Sequence, residues 1–212
     1  MSPGKSKSRR WLQERRNDAY ARQARQHGYR SRAVYKLEEI DRRDRLVKRG
    51  MRILELGSAP GGWTQYLSEK AGPEGRVLAV DLITMPPVRN VQFVQGDFTD
   101  PTVRQSLIDA LGEADLVLSD MAPNITGIVD TDHARFLELL TSVLELARLL
   151  LKNRGNMLVK VFEGPEIKGF RKACGQVFRE VAVRKPSASR SRSREYYLLA
   201  RQYQRDKEGN CL

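Results

Sequence analysis

The loop Glu55-Leu56-Gly57-Ser58-Ala59-Pro60-Gly61-Gly62-Trp63 places three glycines directly after an apolar run. Glycine lets a backbone turn sharply and approach a ligand where any Cβ would collide. A phosphate-cradling loop would need Gly-Lys-Ser or Gly-Lys-Thr here, and neither is present; the spacing also differs from the Gly-x-Gly-x-x-Gly of dinucleotide enzymes. Asp81 ends a second apolar run about 20 residues further on, where a carboxylate can accept both hydroxyls of an adenosine ribose. Asp97 follows a third run and can accept from an adenine amino group. Taken singly, the glycines would also serve close helix-to-strand packing, and either aspartate would serve as a helix cap or turn residue. Together they describe an adenosyl site.

The elements that must hold these residues alternate along the chain. MRILEL reads as a buried strand, followed by the glycine loop and a helix from Trp63 to about Lys70. RVLAVDL is a second strand ending at Asp81, VQFVQGDF a third carrying Asp97, and Thr102 to Leu111 a helix. DLVLSD is a fourth strand with Asp120 at its carboxyl end. From Asp132, a candidate cap, to Lys152 apolar residues recur at 136, 137, 140, 143, 144, 147, 150 and 151, which predicts a long amphipathic helix. NMLVKVF is a fifth strand carrying Lys160, closed by the Glu163-Gly164-Pro165 turn. After a helix over about 168–178, EVAVRKP and REYYLLA flank the loop SASRSRS and suggest a hairpin that closes the sheet antiparallel.

Strand and helix in alternation imply a parallel sheet covered on both faces, with ligands outside the carboxyl ends of the strands. The loop from Gly57 to Trp63, Asp81, Asp97, Asp120 and Lys160 all fall at or near such ends, so the polar residues converge on one rim. Upstream, residues 11–45 are rich in Arg and Gln and suit helices laid on a surface; Ala33, Val34, Leu37 and Ile40 repeat at helical spacing and should face the core. The expected layout is a mobile basic tail at 1–10, one domain at 11–200 that includes this helical extension, and a C-terminal tail at 201–212.

A chain of 212 residues, 40% hydrophobic, can bury a real core. Its 38 Lys plus Arg against 26 Asp plus Glu give a formal charge of +12, which favours a polyanionic partner, with nucleic acid the leading candidate. Cys174 and Cys211 are far apart and outside any Cys-x-x-Cys pair, and His27 and His133 are isolated from other ligand types, so neither a disulfide framework nor a metal site is expected. The basic opening MSPGKSKSRR has no apolar signal core and no stretch reaches membrane-span length, so a cytoplasmic protein without a membrane partner is expected.

The segments ELGSAPGGW, VQFVQGDF, SDMAPN, LVKVFEG and KPSASRSRSREYYLLA, in this order, closely resemble the FtsJ family of ribosomal RNA large-subunit 2′-O-methyltransferases. The resemblance runs from Trp11 to about Ala200 and includes SRAVYKLEEI. It implies a Rossmann-like, doubly wound α/β sheet of seven strands, mostly parallel with the last antiparallel, and S-adenosyl-L-methionine as cofactor. The implied substrate is 23S rRNA of the large ribosomal subunit, methylated at the 2′-oxygen of a uridine in the A loop, by a monomer; a transfer-RNA ribose methyltransferase is the nearest rival. Gly61, Trp63, Asp81, Asp97 and Asp120 match the family's cofactor contacts, and Lys36, Asp120, Lys160 and Glu195 its Lys-Asp-Lys-Glu catalytic set. Glu55 stands where the family more usually has Asp, which keeps a carboxylate but changes its reach.

Such a set suits the reaction. A 2′-hydroxyl is a poor nucleophile, so its oxygen must be aligned with the sulfonium methyl and its proton loss eased. A neutral Lys160 would take the proton; a charged one would orient the hydroxyl and stabilise negative charge developing on oxygen. A buried ion pair at a strand end would explain Lys160 without catalysis. Arg30, Arg32, Lys185, Arg190, Arg192 and Arg194 are candidates for RNA phosphates, and Tyr29 and Tyr35 for stacking on bases, against the plainer reading of a solvated helix face and a Ser/Arg linker. A nicotinamide oxidoreductase would share the sheet and Asp81 but not the Asp-x-Ala-Pro-Asn block. A noncatalytic RNA-binding protein would need only the charge.

Overall fold

The apolar runs at 52–56, 76–81 and 114–119 are buried on both faces, as strands of a covered parallel sheet must be. The computed structural model describes residues 18–122, 127, 129–165, 167–189 and 193–205. The expected tail at 1–10, the start of the extension at 11–17, Arg190, Arg192 and the end at 206–212 with Cys211 lie outside the described residues. In chain order the elements are α1 (Ala19–Gln26), α2 (Val34–Asp44), β1 (Arg52–Leu56), α3 (Gly62–Ala71), β2 (Arg76–Asp81), β3 (Val91–Gln95) and α4 (Pro101–Leu111). They continue with β4 (Ala114–Ser119), α5 (Val129–Leu150), β5 (Leu151–Phe162), α6 (Ile167–Val177), β6 (Phe178–Arg184) and β7 (Glu195–Tyr203).

The seven strands form one sheet in the order β3-β2-β1-β4-β5-β7-β6. Neighbours from β3 through β5 are parallel, and β7 runs antiparallel to both β5 and β6. The last strand is therefore inserted between the fifth and sixth rather than added at the edge. The strand order reverses between β1 and β4, which puts a crevice outside their carboxyl ends. Asp81 ends β2 and Asp120 directly follows β4.

Alternate strand residues feed two cores. Leu54, Leu56, Val80, Val117 and Val159 pack with α4, α5 and α6, while Ile53, Val77, Leu118, Leu158 and Tyr197 pack with α1, α2 and α3. Val34, Leu37 and Ile40 are buried as their spacing predicts, so α2 is a core helix of the second face and Ala33 packs at its margin.

Helix α5 ends at Leu150, so Leu151 and Lys152, expected in the helix, open β5, and three further expectations change. Helix α5 begins at Val129, and Asp132 lies within its first turn, its carboxylate reaching back to accept from Gly127 N at 3.0 Å. On its apolar stripe Leu146 is fully buried whereas Leu137 is 36% exposed, because Phe136, Leu140, Val143 and Ala147 centre the stripe away from Leu137. The expected C-terminal limit at 200 falls inside β7. Tyr203 is fully buried there, its ring 5.5 Å from that of Phe178 and its hydroxyl donating to Arg148 O at 3.1 Å, so the strand continues. Among the described residues no helix is long and apolar enough to cross a membrane.

Candidate active site

The glycine loop turns immediately after β1. Gly57 N donates to Val80 O at 2.9 Å and Ser58 N to the same oxygen at 3.2 Å, so the loop is laced to β2. Gly57 has φ +76°, and a Cβ there would run into the Met121 side chain; Gly61 has φ +104°, and a Cβ there would come 2.8 Å from Arg30 Nη1. Both positions need glycine for conformation, and Gly57 needs it for space as well. Asp81 fastens the loop from the other side, its Oδ2 accepting from Ala59 N at 2.8 Å and its Oδ1 from Ile83 N at 2.9 Å. Asp97 is set by a turn in which its Oδ1 accepts from Thr99 N at 2.9 Å and Thr99 Oγ1 at 2.7 Å.

A cleft of ≈ 650 Å³ opens at this rim, lined by Gly57, Asp81, Asp97, Phe98, Asp120 and Met121 among others. An adenosyl group fits its chemistry: two carboxylates for ribose and amino donors, an apolar ring in Phe98, and glycine backbone at one wall. Helix α5 supplies a further wall through Arg135 and Glu138, which sequence reasoning missed because nothing local says that this helix leans over the crevice. Gly61 and Trp63 do not line the cleft. Trp63 is 3% exposed, donates from Nε1 to Ala33 O at 2.7 Å and packs its ring 5.7 Å from that of Tyr197, so it joins α3 to α2 and β7.

Glu55 is 1% exposed, and among the described residues neither its Oε2 nor the buried Ser58 Oγ has a hydrogen-bond partner. Burial pushes the Glu55 carboxyl up to about 8; the hydrogen bond with Thr64 works the other way, and the nearby charges of Asp120 and Asp81 add to the rise.

Lys160 and Glu195 come from neighbouring antiparallel strands, with Lys160 opposite Tyr197 and Phe162 opposite Glu195. Lys160 Nζ donates to Asp120 O and lies 3.2 Å from Asp120 Oδ1. The same Oδ1 accepts from the Tyr197 hydroxyl at 2.7 Å. Lys36, from α2, closes an ion pair of 2.6 Å with Glu195. The four expected catalytic side chains thus form two ion pairs brought together at one rim. Burial opposes ionisation of Glu195, but the hydrogen bond and charge of Lys36, with the charge of Lys160 behind, outweigh it and hold the carboxyl below its usual range. Burial, and then Asp120, raise the Tyr197 phenol well above its ordinary value, so it remains a donor. Sequence reasoning missed Tyr197, although strand alternation places it on the same face as Glu195, two residues away.

The basic and aromatic candidates separate. Arg30 donates to Pro86 O at 2.6 Å and Pro87 O at 2.8 Å, and Arg32 pairs with Asp18 and donates to Ala188 O, so both are tied into the fold. Tyr35 is 7% exposed and bonds His27 Nδ1 at 3.1 Å, which removes it as a stacking face; half-buried Tyr29 donates to Glu69 Oε2 at 3.3 Å. Lys185 and Arg194 are exposed. Among the described residues no group of three or more His, Cys, Asp or Glu is placed to hold a metal ion.

The FtsJ-like methyltransferase family model matches residues 29–203. The chain belongs to the FtsJ-like methyltransferase family. Among the relatives of this FtsJ-like protein, the ribosomal RNA large subunit methyltransferase E of Azoarcus sp. (strain BH72) is 51% identical over 194 residues, spanning 91% of this chain and 95% of that protein. The protein of the same name from Legionella pneumophila (strain Corby) is 49% identical, spanning 96% and 99%. A ribosomal RNA methyltransferase of Plasmodium falciparum superposes with a TM-score of 0.74 at 29% identity, over 82% of this chain and 98% of that one. Aeropyrum pernix fibrillarin, solved with natively bound S-adenosyl-L-methionine, shares the fold with a TM-score of 0.58 at 22% identity, over 81% and 75%.

Proposed function

We propose that this FtsJ-like enzyme uses S-adenosyl-L-methionine to methylate a ribose 2′-oxygen in ribosomal RNA of the large subunit. The modified nucleotide in this reading is a uridine in the A loop of 23S rRNA, reached by a monomer in the cytoplasm. The observation that carries the proposal is the position of Lys160, held against Asp120 where Asp120 itself lines the cleft. The names of the relatives supply the RNA.

Bound S-adenosyl-L-methionine contributes a sulfonium methyl open to attack by an oxygen in line with it. Asp81 would take the ribose hydroxyls and Asp97 the adenine amino group, with Gly61 and Trp63 shaping the loop from behind. Asp120 serves both sides, lining the cleft and steering Lys160. An ammonium has three donors. Asp120 engages Lys160 through two oxygens, which leaves a donor for the ribose hydroxyl, orienting its oxygen and stabilising negative charge on it. As an amine, the same nitrogen would take the proton. Lys36 compensates Glu195 and keeps that carboxylate beside Lys160.

The test is to incubate the purified protein with tritiated S-adenosyl-L-methionine and, separately, large subunits, protein-free rRNA and tRNA from unmodified cells, then map the labelled nucleotide. A 2′-O-methyluridine in large-subunit rRNA is the expected product. Labelling of tRNA alone overturns the substrate, and label on a base rather than a ribose overturns the reaction.

A further inference from the structure

With Arg30 and Arg32 absorbed by the fold, exposed basic residues still gather further along α2 and on the segment that faces it. A groove of ≈ 300 Å³ runs between the second half of that helix and the segment after β6, with Glu39, Arg42, Arg43, Arg184 and Lys185 on its walls and buried Ile40 beneath. Its acid is already engaged, since Glu39 accepts from Ser187 N at 2.8 Å and Ser187 Oγ at 2.6 Å. Arg184 is engaged too, donating from Nε and Nη2 to the two Asp44 oxygens at 2.7 and 2.8 Å. Three exposed cations remain. Among the described residues Arg42 makes only a surface pair with Glu38 at 3.3 Å, of the kind that contributes little to stability. Arg43 and Lys185 make no hydrogen bond or ion pair among the described residues.

The groove is aligned with the catalytic rim. Lys36, Ile40 and Arg43 follow one another at helical spacing on one stripe of α2, so Arg43 stands about 10 Å from Lys36 along the axis. The opposite wall begins at the same place, because Arg184 at the end of β6 is registered with Tyr197, which is registered with Lys160. A strand whose ribose sits at Lys160 and passes Lys36 therefore runs into this groove with cations on both sides.

We propose that the groove binds the phosphates of the RNA strand flanking the methylated nucleotide, with Arg43 on one wall and Lys185 on the other. The inference rests on RNA being the substrate. A phosphodiester is the occupant that this lining fits: cations on both walls, one carboxylate whose oxygens Ser187 already engages, and among the described lining residues no other acid and no broad apolar surface to receive a protein side.

The test uses the full-length protein with Arg43→Glu, Lys185→Glu and the double reversal, with Lys168→Glu and Lys172→Glu as controls. The control lysines are exposed on α6, which packs on the other face of the sheet. Each groove reversal should raise KM for protein-free large-subunit rRNA about tenfold while kcat and S-adenosyl-L-methionine affinity stay within about twofold. The double reversal should also flatten the slope of log affinity against log salt by about 0.7 for each phosphate that is no longer neutralised. Unchanged KM and slope, or an equal rise from the α6 controls, overturns the proposal. So does a rise seen with intact large subunits but not with protein-free rRNA, which would make a ribosomal protein the occupant. RNA binding measured without turnover gives the same comparison independently of chemistry. Absence of methylation by the wild type would count against the proposed reaction, whereas undiminished RNA binding by the double variant overturns the groove.

Discussion

Lys36 and Glu195 meet at 2.6 Å although one stands on the second helix and the other opens the last strand, and each side chain is almost buried, at 12% and 13% exposed. Contacts flanking them hold the two elements together. Glu39 grips Ser187, Arg32 reaches Ala188 O, and Asp44 binds Arg184 and Arg201 of β6 and β7. Burial opposes ionisation of Asp44, yet Arg184 and Arg201 outweigh it and lower its carboxyl below the ordinary range.

If this clasp acts through Lys36, its loss and the loss of Lys36 are not independent. Asp44→Asn should slow methyl transfer about tenfold in the wild-type background and add less than about twofold in a Lys36→Ala background. Steady-state kinetics on the four proteins of the double-mutant cycle decide it. Losses that multiply would make Asp44 a general stabiliser rather than a positioning residue.

Lys160 and Asp120 should separate in their effects. Lys160→Ala removes the nitrogen that the proposed mechanism sets against the hydroxyl and should abolish detectable transfer, while S-adenosyl-L-methionine binding by calorimetry stays within a few-fold. Asp120→Ala should weaken both, because the residue lines the cleft and holds Lys160. Near-normal turnover of Lys160→Ala removes it from catalysis, and unchanged cofactor affinity in Asp120→Ala confines that residue to positioning.

Local pattern made much of this legible. Strand and helix alternate with periods of 2 and 3.6, and the crevice follows from parallel topology alone, so the sequence by itself places Asp81, Asp97, Asp120 and Lys160 on one rim. Long-range pairing was less accessible. A hairpin of β6 and β7 is compatible with either strand lying next to β5, and the antiparallel ladder from Met157 opposite Ala200 to Phe162 opposite Glu195 distinguishes them. Arg30 and Arg32 look like RNA ligands by type, but their acceptors, Pro86 O and Ala188 O, come from distant loops that spacing does not reveal. Glu55 gives no sequence sign that one of its oxygens would be buried without a donor among the described residues.

Tyr197 offers a test of how closely Asp120 must be held. Its hydroxyl donates to Asp120 Oδ1 at 2.7 Å while its ring packs on Trp63, so Tyr197→Phe removes the bond and keeps the ring. A hydrogen bond to a charged group contributes about 1.5–3 kcal/mol. Turnover should fall about tenfold or more with S-adenosyl-L-methionine affinity changed less, read from kcat and from calorimetric binding. A variant with wild-type kcat would show that Lys160 alone orients Asp120.

Glu55 couples stability to pH. Unfolded, its carboxyl titrates near its ordinary 4.5; folded, burial raises it to about 8. Between those values the folded chain keeps a proton that the unfolded chain has released, so the contribution is fully present below about 4.5 and is lost as pH climbs through about 8. The loss approaches about 1.4 kcal/mol per pH unit where the two states differ by a whole proton. Glu55→Gln carries the same shape with no proton to lose, so its advantage over the wild type should be small at pH 4.5, grow steadily to about pH 8 and then level off. Thermal unfolding of the two proteins across that range checks the sign, and parallel curves would mean that the carboxyl ionises in the folded chain as readily as in water.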